Sequence, residues 1–223
     1  MCVNGAGSVL DYYLPTYYQV VRGFSPAKSG YFMLPVIIGG TIGSLIHGAG
    51  TSAFGYYAPF MLVASVLMPI AAGLMTTFGT STDFFRLILY TALSGLAYGV
   101  GFSGPQNAVQ TVLPAEDVSI GLSIMLFAQS FGPAVSISIA QVLFTNRLSI
   151  NLKDKLPGLN HTNIDNQGLV EMVTSLPVDQ LQPALQGVDE SLVQTWYLVI
   201  GLACATLVGS LSIEWRSVKS KRD

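Results

Sequence analysis

Six long apolar segments, almost free of charged residues, constrain this 223-residue chain more than any other feature of its sequence. The segments cover about residues 2–18, 30–48, 56–78, 84–104, 119–144 and 192–213. A helix rises about 1.5 Å per residue, so a run of about 20 apolar residues matches the hydrocarbon thickness of a bilayer. The pattern therefore predicts six transmembrane segments.

Helices explain these segments better than strands do. A membrane-spanning β-barrel requires segments of about ten residues with alternating hydrophobicity, and that alternation is missing here. Helices satisfy every backbone hydrogen bond within the segment, as lipid requires. Only 10% of the residues are charged, against about 25% in a soluble domain. We therefore predict an all-α integral membrane protein.

The charges after the sixth segment indicate the orientation of the chain. Arg216, Lys219, Lys221 and Arg222 follow it directly, and basic flanks favour the cytoplasm. Residues 214–223 are therefore predicted to form a basic cytoplasmic tail.

The long hydrophilic stretch 147–191 then falls on the opposite side of the membrane. We interpret it as an extracytoplasmic loop with short surface helices. Asn160 begins the glycosylation sequence Asn160-His161-Thr162, which fits a location outside the cytoplasm.

Several function classes find no support in the sequence. The net charge is −2, and no broad basic patch indicates a nucleic-acid partner. Cys2 and Cys204 lack metal-ligand spacing, and His47 and His161 are too far apart in the sequence to indicate an enzyme site. No metal or cofactor is predicted.

One motif in the fourth segment imitates a nucleotide site. Residues 99–104 read Gly-Val-Gly-Phe-Ser-Gly, the spacing of a dinucleotide-binding loop. That loop requires a preceding strand and a following helix. Because the motif lies inside an apolar segment and leads into Pro105, we expect no nucleotide binding.

Asp11 is the clearest ionisable residue inside an apolar segment. Such groups are costly in a membrane and are functional candidates by default. If Asp11 faces the interior of the bundle, it is a candidate for proton exchange during transport. The alternatives are a water-filled vestibule and a hydrogen bond with a tyrosine hydroxyl.

Uncharged polar residues supply the candidates for a substrate cavity, which needs a few hydrogen-bonding groups in an apolar wall. They concentrate after Pro105 and in the fifth segment. The candidates for substrate binding are Gln106, Asn107, Gln110, Gln129 and Ser130. The alternative is that these side chains only bond neighbouring helices.

Several stretches of the chain, in this order, resemble fungal major facilitator transporters. They are Tyr13-Leu14-Pro15-Thr16-Tyr17-Tyr18-Gln19, Ser25-Pro26-Ala27-Lys28-Ser29-Gly30, Leu34-Pro35, Gly99-Val100-Gly101 with Pro105, Gln110-Thr111-Val112-Leu113-Pro114, Asp117, Gly121, Phe127-Ala128-Gln129-Ser130 and Phe144-Thr145-Asn146. The subfamily that the chain resembles is the fourteen-helix drug:proton antiporters, which include multidrug and toxin efflux pumps.

The resemblance implies a two-part transporter that works by alternating access. It implies proton-coupled efflux of small organic compounds, in the plasma membrane or the vacuolar membrane. The six segments resemble the last six of fourteen helices, so the expected partners include the N-terminal helices or another transporter chain, besides lipid, substrate and protons. The alternative is a truncated, non-transporting membrane protein that associates with or regulates a full-length transporter.

Overall fold

A computed structural model describes residues 1–155, 169–174, 176–213 and 215–217. This part of the chain is helical and contains no β-strand, which confirms the predicted all-α class. The helices are α1 (Cys2–Thr16), α2 (Pro26–Phe54), α3 (Ala58–Met75), α4 (Phe84–Phe102), α5 (Gly104–Val112), α6 (Val118–Lys155), α7 (Leu169–Thr174) and α8 (Val178–Leu211).

Most predicted segments coincide with helices that are long and apolar enough to cross a membrane. Five helical stretches in the described part meet that condition, namely Pro26–Phe54, Ala58–Met75, Phe84–Val112, Val118–Lys155 and Asp179–Leu211. The first predicted segment corresponds to α1, whose 15 residues continue into a five-residue π-helical turn, Tyr17–Val21.

Helix α1 lies in the middle of the bundle, packed against α4, α6 and α8. Its side chains Val9, Tyr13 and Leu14 are almost completely buried, and so are Tyr17 and Tyr18 in the π-helical turn. Tyrosines often lie at the membrane surface, and Tyr12, Tyr13, Tyr17 and Tyr18 form an aromatic cluster at this end. Apart from the half-exposed Tyr12, it instead forms part of the core.

Two helices extend well into the predicted loop 147–191. Helix α6 continues to Lys155 and α8 already begins at Val178. Leu148 and Leu152 of α6 are buried, and Lys155 forms a 2.7 Å ion pair with Glu190 of α8. Hydropathy marks the part of a helix that suits lipid, whereas packing between helices decides where the helix ends. The positions of the bilayer boundaries therefore stay predictions.

Two of the predicted features fall mostly on residues outside the described part. Asn160 lies in the stretch 156–168, and only residues 215–217 of the tail 214–223 are described. The short helix α7 is the one described element that lies wholly inside the predicted loop.

Helices α2 and α4 cross at very close range through glycines. A Cβ atom added to Gly95 would collide with the carbonyl oxygen of Val36, and one added to Gly99 with that of Gly40. Small residues four apart allow such backbone approach in membranes. The small-residue stripes Gly39–Gly43 and Gly95–Gly99 thus face each other.

A third small-residue stripe behaves differently. Gly201, Ala205 and Gly209 have the four-residue spacing that is typical of packed membrane helices. Gly201 and Gly209, however, have no described atom within 4 Å of an added Cβ. All three residues are exposed in the described bundle. The spacing of small residues identifies a helix face without large side chains. It does not show which helix, if any, packs against that face.

Candidate functional site

A cavity of about 770 Å³ lies between α1, α2 and α4. Its wall is mainly apolar, with Met68 of α3 at one side. The polar residues that line it are Asp11, Thr41, Ser44, Ser94 and Tyr98. An apolar pocket of this size with a few polar groups has the character of a small-molecule site.

The cavity is built from one face of each helix. Helix α1 contributes Gly7, Leu10, Asp11 and Leu14, which are three or four residues apart and so share one helical stripe. Helices α2 and α4 contribute stripes with the same spacing. The glycine crossing of α2 and α4 holds these two stripes side by side.

Asp11 is the one charged residue among those that line the cavity. Its side chain is exposed, and no cationic side chain in the described part forms an ion pair with it. Tyr98 lines the same cavity and is close enough to Asp11 for an electrostatic interaction between them. Asp11 therefore lies in the wall of the cavity.

Three of the cavity hydroxyls donate to backbone carbonyls. Thr41 Oγ1 donates to the carbonyl of Ile37 at 2.9 Å, and Ser94 Oγ donates to the carbonyl of Thr91 at 2.8 Å. Thr41 and Ser94 thus use their hydroxyl protons within their own helices, whereas Ser44 Oγ of α2 donates to the carbonyl of Gly99 on α4 at 3.4 Å. The oxygen lone pairs of these three hydroxyls are left as acceptors. Together with the carboxylate of Asp11, these oxygens make the polar part of the cavity rich in hydrogen-bond acceptors.

The five predicted substrate residues do not line this cavity. Gln106 and Gln110 of α5 are exposed, as is Ser130 of α6. Gln129 accepts a 3.3 Å hydrogen bond from Asn4 through its backbone carbonyl. Their role in substrate binding stays a prediction.

Asn107 has a partner inside the bundle. Its Nδ2 lies 3.0 Å from Nε2 of His47, and His47 is fully buried against the ring of Phe60. His47 lies at the end of the second predicted segment, 30–48, where a polar side chain is expected to form hydrogen bonds at the membrane interface. The structure instead shows it at a buried junction between α2 and α5.

Sequence reasoning missed Thr41, Ser44, Ser94 and Tyr98. Hydroxyl side chains in apolar helices usually bond the preceding turn, and so carry little information about a site. Their positions next to the glycine stripes of α2 and α4 were the available signal. That signal becomes useful only once the pairing of the two helices is known.

The comparison with known proteins finds similar sequences over almost the entire chain, although no family model matches. The relatives include the "MFS-type efflux pump MFS1" of Arthroderma benhamiae, 35% identical over 99% of this chain and 41% of the relative. The "Efflux pump roqT" of Penicillium rubens is 36% identical with the same coverage. The "MFS efflux transporter inpD" of Emericella nidulans is 31% identical over 97% of this chain and 42% of the relative.

This chain therefore spans about two fifths of the length of the curated relatives that it matches. These relatives are named as transporters and not as enzymes, which is consistent with the sequence-based expectation of no catalytic site. Their names also agree with a multi-pass integral membrane protein, as the long apolar helices do.

Proposed function

Because this chain matches the C-terminal part of efflux pumps of the major facilitator superfamily, we propose that it is the C-terminal part of a transporter that exports small organic compounds in exchange for protons. The observation that carries this proposal is the cavity between α1, α2 and α4, with the carboxylate of Asp11 in its wall.

The cavity fits the size and the chemistry of a small organic substrate. Its volume of about 770 Å³ lies within the range of pockets that take drug-sized molecules, about 300 to 1,000 Å³. The apolar wall contributes hydrophobic burial, and the acceptor oxygens favour groups that donate hydrogen bonds or carry positive charge. The preferred substrates are thus apolar molecules with an N–H, an O–H or a cationic group.

Asp11 provides a direct route to coupling. An ionised carboxylate attracts a cation or a hydrogen-bond donor, and a protonated one no longer carries the charge that does so. Substrate and proton therefore compete for Asp11. When the cavity opens to alternate sides of the membrane, this competition converts the inward movement of a proton into the outward movement of the substrate.

The proposed function indicates the membrane in which the protein works, and the charge distribution indicates its orientation. Export from the cell requires the plasma membrane, whereas sequestration would use the vacuolar membrane. The basic residues of 214–223 favour a cytoplasmic C-terminus by the charge asymmetry of membrane proteins. A reporter fused to the C-terminus, read by its accessibility in intact cells, tests this orientation.

An efflux assay in cells without their own pumps tests the function. The 223-residue chain is expressed alone and joined behind the N-terminal part of one of the similar efflux pumps. Retention is followed for a fluorescent lipophilic cation and a fluorescent organic anion of similar size. We expect the joined protein to export the cation, an uncoupler to stop the export, and the chain alone to be inactive.

Asp11→Asn in the joined protein is the decisive variant, and Asp154→Asn, at the exposed end of α6, is its control. Loss of uncoupler-sensitive export with Asp11→Asn alone supports coupling through Asp11. Export that survives Asp11→Asn unchanged contradicts it. If no joined protein exports, but the chain alters export by a co-expressed complete pump, the regulatory alternative replaces the proposal.

A further inference from the structure

Two cationic side chains converge on one pair of aromatic rings at the end of the bundle where α2 and α4 begin. The rings of Phe24 and Phe84 are stacked, with centroids 6.1 Å apart. Arg22 Cζ lies 5.9 Å from the centroid of Phe24 and 5.4 Å from that of Phe84. Lys28 Nζ lies 4.1 Å and 5.8 Å from the same two centroids. We call these four residues the basic corner.

Neither cation of the basic corner has a carboxylate partner in the described part of the chain. The ion pair found there joins Lys155 to Glu190, on other helices. Arg22 donates instead to the carbonyl oxygen of Thr80 at 2.8 Å, which orients the guanidinium without neutralising it. Arg22 and Lys28 both lie over the same pair of rings. Their like charges repel each other, and a bound anion would offset that repulsion.

The backbone adds to the positive potential of the basic corner. Lys28 belongs to the first turn of α2, and Phe84 is the first residue of α4. Helix N-termini carry partial positive charge. At the start of α2, Pro26 has no N–H and the Lys28 N–H already donates to Ser25 Oγ.

Arg86 adds a third cation in the first turn of α4. The carboxylates near this end are Asp83, which makes no side-chain cap hydrogen bond, and Asp189, which lies beside Gly79.

The surface beside the basic corner is apolar. Tyr31 of α2 and Phe85 of α4 are exposed to about 70%, and Phe84 to 46%. A soluble anion gains nothing from such side chains, whereas the acyl chains of a lipid pack against them. Aromatic residues at a helix end also mark the depth of lipid headgroups in either leaflet. With a cytoplasmic tail 214–223, the order of the segments places the basic corner at the extracytoplasmic leaflet.

We propose that the basic corner binds the phosphate of an anionic phospholipid, with Arg22 and Lys28 as its ligands and the exposed rings of α2 and α4 against the acyl chains. None of the four residues lines the cavity between α1, α2 and α4. The lipid site is therefore separate from the proposed substrate site and does not depend on it.

Lipid binding to the purified 223-residue chain tests this proposal. The delipidated protein in detergent is titrated with phosphatidylglycerol, phosphatidylcholine and glycerol phosphate, and bound lipid is counted by native mass spectrometry. The variant Arg22→Gln/Lys28→Gln is compared with Arg147→Gln/Lys153→Gln, which removes the same charge from exposed positions of α6. Lys28→Gln is also measured alone, because the Lys28 side chain is exposed and its replacement should not disturb folding. It shows whether a loss in the double variant comes from misfolding.

We expect phosphatidylglycerol to bind more tightly than phosphatidylcholine. The corner double variant should lose about tenfold in affinity or more, since each cation near an anionic lipid contributes measurably. Lys28→Gln should show part of that loss, and the α6 control should stay near the original affinity.

Three outcomes would overturn the proposal. An equal loss in the α6 control would mean that net charge and not the corner attracts the lipid. Equal affinity for the two phospholipids would show that the negative headgroup is not recognised. Binding of glycerol phosphate as tight as that of the lipid would reduce the corner to a site for small free anions.

Discussion

His47 and Asn107 meet at the junction of α2 and α5, with His47 Nε2 3.0 Å from Asn107 Nδ2. The two residues are 60 positions apart in the chain. The contact lies just beyond the break between α4 and α5, where α5 begins at Gly104 and Pro105 lies in its first turn. It joins this break to α2, one of the helices that form the wall of the cavity.

Asn107→Ala should therefore lower stability more than it alters substrate binding. It removes the polar partner of a buried histidine, which costs about 1 to 3 kcal/mol. Gln106→Ala, at the exposed neighbouring position, is the control and should have little effect. Thermal unfolding in detergent measures the difference. A change in substrate affinity with unchanged stability would favour the sequence-based prediction of Asn107 as a cavity residue.

Alanine in place of Gly99 should push α2 and α4 apart. The added Cβ has no room beside the backbone of Gly40, and overpacking of this kind costs about 1 to 3 kcal/mol. Gly73→Ala in α3 is the matched control, because no described atom lies within 4 Å of its added Cβ. Denaturation in mixed micelles compares the two variants. Equal stability of both would mean that the helices do not cross as closely as described.

Tyr13→Phe should weaken the packing of α1 against α6. The hydroxyl of Tyr13 donates a 2.8 Å hydrogen bond to Oε1 of Gln141, and such a bond contributes about 0.5 to 1.5 kcal/mol. Tyr12→Phe, at a half-exposed ring in the next position, controls for the general loss of a hydroxyl. A double-mutant cycle with Gln141→Met should give a coupling energy of the same size. A coupling energy near zero would contradict the assigned bond.

Filling the cavity should block ligand binding. Leu45 lines the cavity and its neighbour Ile46 does not, although both are exposed on α2. In the joined transporter, Leu45→Trp should reduce binding of the fluorescent cation, because the indole occupies cavity volume. Ile46→Trp should leave binding unchanged, as read by equilibrium fluorescence titration. If Ile46→Trp is the more damaging, the substrate lies elsewhere on the bundle.

Hydropathy reveals some of the structural features on which these variants are based, but not others. The six apolar segments and the all-α class follow from it, because lipid excludes unpaired backbone groups. It does not reveal that α1 is central, since core and lipid-facing side chains are both apolar. The same ambiguity explains why the stripes Gly39–Gly43 and Gly201–Gly209 have the same spacing but different surroundings.

The polar residues also differ in how much of their role the sequence can reveal. Asp11 stood out in the sequence because a charge in an apolar segment is costly, and the structure places it at the cavity. Nothing local distinguished Asn107, whose partner His47 comes from another helix, from Gln106 one position earlier. A hydrogen bond between distant segments depends on helix pairing, which periodicity does not contain.

The sequence by itself determined that this chain is a bundle of apolar helices, and its order of motifs indicated the kind of transporter that it resembles. Only the tertiary structure decided which helix lies at the centre, which stripes enclose the cavity, and which polar side chains bond one another. The physical reason is that suitability for lipid is a property of each segment alone. Burial, cavities and side-chain pairs arise from the way in which separate segments pack.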